Sequence, residues 1–257
     1  MHDIWKGGDK FMKKVSCMIM ALMTAVSLTG CSTFAAVGTS SLPDTAVTDG
    51  TDPAESTPIA ETEALGTSLV ESAAGRKILI AYFTWADNTV VENPSSVDVD
   101  ATSSASVLPP GNVEQMAYWI QEEVGGDLFS IQVEEPYSSD YDECLNRAAD
   151  EKADGVHPKL TAAVEDMDDY DVVFLGYPNW WYTVPMALYS FIEENNLAGK
   201  KVILFCSHGT GGLASSVQDL TRAMPECEVE RNVIGIYRND IPNAQADIKS
   251  WLAEIGY

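Results

Sequence analysis

From Lys77 onward, short apolar runs alternate with stretches in which apolar residues recur at helical spacing. Lys77 to Phe83 is almost continuously apolar and has the length of a strand buried on both faces. Asp127 to Val133, Asp171 to Gly176 and Lys201 to Cys206 repeat that pattern at helix-sized intervals, and Val229 to Ile236 is a weaker fifth run. Between the runs, Val113, Met116, Ala117, Ile120 and Val124 share a helical face, as do Val184, Leu188, Phe191 and Ile192. Ile248, Trp251, Leu252 and Ile255 close the chain in the same way. Buried strands alternating with amphipathic helices predict an α/β three-layer sandwich, with a five-stranded parallel sheet covered on both faces. In such a sheet the ligand site lies beyond the carboxyl ends of the strands, where the strand order reverses. The loops opening at Thr84, Tyr177 and Ser207 are therefore the ones to search.

The first 75 of the 257 residues follow a different pattern. Met12-Lys13-Lys14 is a basic start, Val15 to Leu28 carries no charge, and Leu28-Thr29-Gly30-Cys31 ends the run with small residues before a cysteine. This is the layout of a signal peptide. The apolar run falls short of the roughly 20 residues that span a bilayer. Its ending resembles the lipobox of bacterial lipoproteins, which implies that residues 1–31 are an export segment and that Cys31 carries the lipid. Ordinary cleavage without a lipid is the alternative. Met1 to Phe11 precede the Met-Lys-Lys start and add nothing that a signal peptide needs. Residues 32–75 are rich in Ser, Thr, Ala, Pro, Asp and Glu without hydrophobic periodicity. Such a segment buries too little apolar surface to offset the entropy of ordering it, and predicts a disordered polar tether. The remaining residues, 76–257, form the predicted domain.

The formal net charge is -24. Residues 1–30 carry four Lys and two Asp, so a chain beginning at Cys31 has a charge of -26. A surface this acidic argues against nucleic acid as a partner and leaves membrane contact to the lipid anchor alone. Cys144, Cys206 and Cys227 lie in the domain without CxxC spacing, which supports neither a metal site nor a disulfide framework beyond a single pair.

The loops after the first, third and fourth runs carry the candidate chemistry. Thr84-Trp85-Ala86-Asp87-Asn88-Thr89 follows the first, Tyr177-Pro178-Asn179-Trp180-Trp181-Tyr182-Thr183 the third, and Ser207-His208-Gly209-Thr210-Gly211-Gly212 the fourth. Together they resemble the phosphate loop, aromatic loop and glycine-rich loop of the flavodoxin-like family, in the family's order across the whole of residues 77–257. The resemblance implies a strand order of 2-1-3-4-5, with flavin mononucleotide (FMN) bound non-covalently at the switch between strands one and three.

The first loop departs from the family pattern, because Asp87 stands where glycine is expected and a polar insertion follows. A carboxylate about 5 Å from a phosphate charge costs roughly 3 kcal/mol at an effective dielectric near 20. Asp87 is therefore expected to point away. After the insertion, Gly111-Asn112-Val113-Glu114 resembles the other half of the same motif. This predicts a split loop, with Thr84 and Trp85 at its front, Asn112 and Val113 at its back, and residues 86–110 looped out; Ala86 and Gly111, at the two junctions, are counted with them as cofactor-site candidates. Under the alternative reading Gly111 and Asn112 only cap a helix.

Pro178, Asn179, Trp180, Trp181 and Tyr182 are the candidates to contact the flat flavin ring, since aromatic side chains supply both buried area and stacking. Either tryptophan could instead anchor the core. Ser207, His208, Gly209, Gly211 and Gly212 are the candidates for the pyrimidine edge, where glycine lets backbone N–H groups approach closely. His208 is the one weak candidate for catalysis, as a proton donor, against an ordinary hydrogen-bonding role.

The function these expectations add up to is redox chemistry through FMN, serving a redox partner protein or reducing a small quinone-like acceptor. The acidity of the chain is expected to lower the flavin potential. The competing expectation is an exported binding module that keeps the fold and has lost FMN.

Overall fold

The computed structural model describes residues 75–257. The export segment, Cys31 and all but the last residue of the tether lie outside the described residues.

The strands are β1 (Ile78–Tyr82), β2 (Asp127–Ser130), β3 (Val172–Pro178), β4 (Lys201–His208), β5 (Glu228–Val229) and β6 (Ile234–Tyr237). The helices are α1 (Val99–Ala105), α2 (Asn112–Val124), α3 (Tyr141–Asp154), α4 (Ala187–Glu194), α5 (Ser216–Ala223) and α6 (Gln245–Glu254). All pairings are parallel, in the order β2-β1-β3-β4-β5, with β6 also paired to β4. This is the flavodoxin-like α/β fold, and the strand order reverses between β1 and β3. The expected fifth strand is two short strands in succession along one edge of β4, β5 beside Lys201–Val202 and β6 beside Phe205–His208. Glu230, Arg231 and Asn232 interrupt it, because the Glu230 carboxylate accepts from the Arg231 and Asn232 N–H groups and turns the chain.

The period-two pattern of the central strands divides the core. Leu79, Ala81, Val173, Leu175, Leu204 and Cys206 face Cys144 of α3, Leu188 and Phe191 of α4, and Leu220 of α5. Ile78, Ile80, Val172, Phe174, Ile203 and Phe205 face Val113, Met116 and Ile120 of α2, with Ile248, Trp251 and Leu252 of α6. β1 is buried along its whole length, as the continuous apolar run required. The sheet is thus sealed on both faces, and the ligand site is left to the carboxyl ends. The domain's three cysteines are free, and Cys206 is fully buried as a small core residue.

Residues 86–110 are not a featureless loop. They contain 3-10 turns at Ala86–Asn88 and Pro94–Ser96 as well as α1, capped by the Asp98 side chain accepting from the Asp100 N–H. Ala101 and Val107 bury against the core, which explains how the insertion folds back to deliver Gly111 beside Thr84.

Candidate functional site

A cleft of about 340 Å³ opens at the carboxyl ends of β1, β3, β4 and β6. Thr84, Trp85, Asn112 and Val113 line it from the end of β1 and the start of α2, and Ser207, His208, Gly209, Thr210, Gly211 and Arg238 from the ends of β4 and β6. Pro178, Asn179, Trp180, Trp181 and Tyr182 lie along it, facing Tyr141, Cys144, Leu145 and Ala148 of α3.

The two halves of the first loop meet at one contact. A Cβ on Gly111 would lie 1.9 Å from Thr84 Oγ1, so only glycine allows the start of α2 to approach the end of β1 this closely. The Gly111 N–H donates to the Glu114 carboxylate at 2.9 Å, and the Asn112 N–H donates to Ser106 Oγ at 3.0 Å. The first-turn N–H groups of Val113 and Glu114 have no acceptor within their own helix, and Val113 lines the cleft. Asn112 Nδ2 reaches across to Ser207 Oγ at 3.4 Å, which joins this end of the cleft to β4. Burial pushes the Glu114 carboxyl above its ordinary range, with the charge of Asp87 adding to the shift.

Asn88 serves the fold. It is buried, donates to the Thr84 and Ile131 carbonyls at 2.8 and 2.9 Å, and accepts from the Val133 N–H at 2.8 Å. Asp87 accepts a hydrogen bond from Ser130 Oγ at 2.6 Å and does not line the cleft.

The aromatic segment is a tight turn. Trp180 and Thr183 exchange backbone hydrogen bonds at 3.2 and 3.0 Å, while Trp181 and Tyr182 have φ of 50° and 64°. Two central residues with positive φ define the type I′ geometry, which ordinarily takes Asn-Gly. Holding two aromatic residues there costs about 1–2 kcal/mol each, a strain typical of functional sites. The turn leaves Trp181 and Tyr182 exposed at the mouth of the cleft, with the Tyr182 ring beside Gly211. Trp180 goes the other way and packs edge-on to Phe83, Trp85 and Tyr137 at centroid distances of 5.5, 6.5 and 5.3 Å. The pair is thus divided between a core anchor and a cleft-mouth ring.

Asp219 staples this turn to the glycine-rich loop, accepting from Thr183 Oγ1 at 2.7 Å and Ser215 Oγ at 2.6 Å. Burial alone would raise its pKa, but the two hydroxyls together with Arg222 and Lys152 outweigh it and hold the carboxyl below its usual range. Asn179 Nδ2 adds a bond to the Gly212 carbonyl at 2.7 Å. His208 Nδ1 lies 2.9 Å from the Gly209 carbonyl, which can only accept, so Nδ1 carries the hydrogen and Nε2 of the neutral ring is an acceptor.

Thirteen of the sixteen residues expected at a cofactor site line this one cleft. Ala86, Gly111 and Gly212 do not: Ala86 turns into the 3-10 segment, Gly111 backs Thr84, and Gly212 closes the glycine loop through its carbonyl. The residues missed were Thr210, the α3 wall and Arg238. Trp85 Nε1 donates to the Ser138 carbonyl just before α3, and Trp181 Nε1 to the Leu145 carbonyl within it, so the cleft tryptophans themselves draw that helix in. The signal for Arg238 was its place after the last strand.

The arrangement suits a long planar ligand with a polar edge and an anionic tail. Hydroxyl, amide and helix-start donors come from β1 and α2, glycine-rich backbone from the loop after β4, and an apolar wall from α3 and the aromatic turn. The whole defines a doubly wound α/β domain with a ligand cleft at its topological switch point. The flavodoxin family model matches residues 100–255, and the chain belongs to that family. A candidate flavoprotein from Bacteroides eggerthii is 28% identical, with a TM-score of 0.52 over 70% of this chain and 98% of that one. A second, from Bacteroides uniformis, is 23% identical, with a TM-score of 0.54 over 70% and 99% of the two chains. A Lactobacillus acidophilus flavoprotein solved in complex with FMN is 19% identical, with a TM-score of 0.47 over 68% and 98%. No curated protein matches the chain.

Proposed function

We propose that the domain binds FMN in this cleft and serves as an extracytoplasmic redox protein, passing electrons to a partner or to a small quinone-like acceptor. The observation that carries the reading is the closure of the split loop, in which Gly111 seats against Thr84 and presents Asn112 and Val113 to the same cleft as the aromatic turn and the glycine loop. The Thr84 hydroxyl, the Asn112 amide and the Val113 N–H are the groups that would hold the phosphate, with no lysine needed. The aromatic turn and the α3 wall would exclude water from the ring, and the glycine loop would meet its pyrimidine edge. FMN supplies the electron-carrying chemistry when bound. His208, which lines the cleft, would be the residue there to exchange a proton with a substrate.

Asp87 and the interrupted first loop are the sequence features that would mark a module without FMN. The turn of Asp87 toward Ser130 and the approach of Gly111 to Thr84 support the FMN reading over that one. The test is purification and reconstitution: a yellow protein, or an apoprotein that binds FMN stoichiometrically with quenching of flavin fluorescence, supports the reading. A colourless protein that fails to take up FMN overturns it.

We also propose that Cys31 anchors the domain to the outer face of a membrane. Among the described residues no helix is long and apolar enough to cross a membrane. A Cys31→Ala chain is expected to leave the membrane fraction, and retention there would refute the anchor.

A further inference from the structure

The chain has 39 acidic residues, yet among the described residues no Asp or Glu lines the cleft. The permanent charge that does line it is Arg238. This half-buried residue follows β6, and its N–H donates to the His208 carbonyl at 2.8 Å, which ties the last strand's loop to the glycine loop. Its guanidinium lies so close to Gly209 that a Cβ there would sit 3.1 Å from Nη1. The absence of a side chain at Gly209 leaves room for that cation beside the glycine loop.

We propose that Arg238 sets a locally positive field at the glycine-loop end of the cleft, raising the reduction potential of bound FMN and favouring its anionic reduced form. The proposal rests on FMN occupying the cleft as described above. Uptake of two electrons from a reductant and one proton from solvent leaves one added negative charge on the ring system. A fixed cation beside the pyrimidine end stabilises that charge more than it stabilises the neutral oxidised ring. The acidic surface acts from farther away and through solvent, where interactions fade over a Debye length of about 8 Å at physiological salt. A partly buried neighbour is screened much less. The local cation therefore outweighs the net charge, reversing the direction that the charge of the whole chain suggests.

The test uses the full chain loaded with FMN, dithionite as reductant and dye equilibration to read the two-electron midpoint potential. Wild type is expected above free FMN in the same buffer. Arg238→Gln is expected to lower the equilibrium constant for reduction at least tenfold, or 29.6 mV for a two-electron couple. Arg238→Lys is expected to recover most of that loss. Arg231→Gln removes the same charge from an exposed position outside the cleft and is expected to give less than a third of the shift. In wild type the potential is expected to fall with pH by one proton per two electrons, moving toward two in Arg238→Gln. A wild-type potential at or below that of free FMN overturns the proposal without any variant. So do equal shifts in Arg238→Gln and Arg231→Gln. Failure of the wild-type chain to bind FMN refutes the cofactor reading and the role of Arg238 with it, whereas normal binding with an unmoved potential refutes Arg238 alone.

Discussion

Residues 86–89 open the insertion and residues 111–114 follow it, and each segment contains an asparagine beside a carboxylate residue or one position removed from it. In the first segment the polar side chains turn toward the protein's own backbone and β2: Asn88 bridges Thr84, Ile131 and Val133, Thr89 donates to the Tyr137 carbonyl, and Asp87 accepts from Ser130. In the second, Glu114 ties down the Gly111 N–H, and Asn112 and Val113 face the cleft. The insertion has separated two tasks that one continuous loop would combine. One side secures the end of β1 against β2, and the other presents donors to a ligand. Sequence likeness to a motif therefore does not say which asparagine has kept the motif's task; the hydrogen-bond partners do.

Substitution should separate those tasks. Asn88→Ala strands two buried carbonyls and a buried N–H, a loss of about 3–5 kcal/mol. Apoprotein melting is expected to fall by roughly 10 °C, with FMN affinity of the folded fraction unchanged within about threefold. If affinity collapses while stability holds, the two segments have been assigned the wrong way round. Gly111→Ala forces a Cβ onto Thr84 and is expected to cost about 1–3 kcal/mol, with FMN weakened by roughly ten- to a hundredfold. Pairing it with Thr84→Ala should restore part of the stability in urea titrations but not the affinity, because the hydroxyl whose removal relieves the clash is also the proposed phosphate donor.

The central strands could be read from the sequence because they are buried on both faces, which leaves an uninterrupted apolar run at each of β1, β3 and β4. The cleft loops were legible because ligand position in a parallel sheet follows from strand order. What could not be read came from packing across the chain. Leu145 and Ala148 reach the cleft on a helix that the Trp85 and Trp181 indoles tie in through carbonyls just before and within α3, and nothing in the helix pattern announces that. Arg238 was hidden because the fifth strand is broken at Glu230, which weakened its signal and drew attention from the loop beyond it. The strained turn was hidden too. Trp181-Tyr182 lacks the Asn-Gly that normally marks type I′ geometry.

That turn extends the comparison to a region where a strained backbone holds two aromatic rings exposed at the cleft mouth. Replacing Trp181 and Tyr182 with Asn and Gly should relieve two positive-φ residues and stabilise the apoprotein by about 1–2 kcal/mol. The same change removes the exposed rings and should weaken FMN by roughly tenfold or more. Calorimetry and fluorescence titration read the two effects separately, and a variant that gains stability without losing FMN would show that neither ring touches the flavin. Asn112→Ala comes next: a loss of roughly tenfold in FMN affinity, about 1.4 kcal/mol, with little change in melting.

The smallest expected effect is also the sharpest test of the division between the segments. If Asp87 faced the phosphate at about 5 Å, neutralising it would relieve roughly 3 kcal/mol at an effective dielectric near 20, more than a hundredfold in affinity. Turned to Ser130 as it is, with that bond at 2.6 Å, it lies off the cleft and its charge reaches the ligand weakly. Asp87→Asn retains an oxygen that can accept from the serine, so the geometry of the segment is kept while the charge is removed. FMN affinity is therefore expected to rise by less than about threefold at physiological salt. A gain of a hundredfold would mean that Asp87 swings into the cleft when FMN binds, and that residues 86–89 have not been released from ligand duty after all.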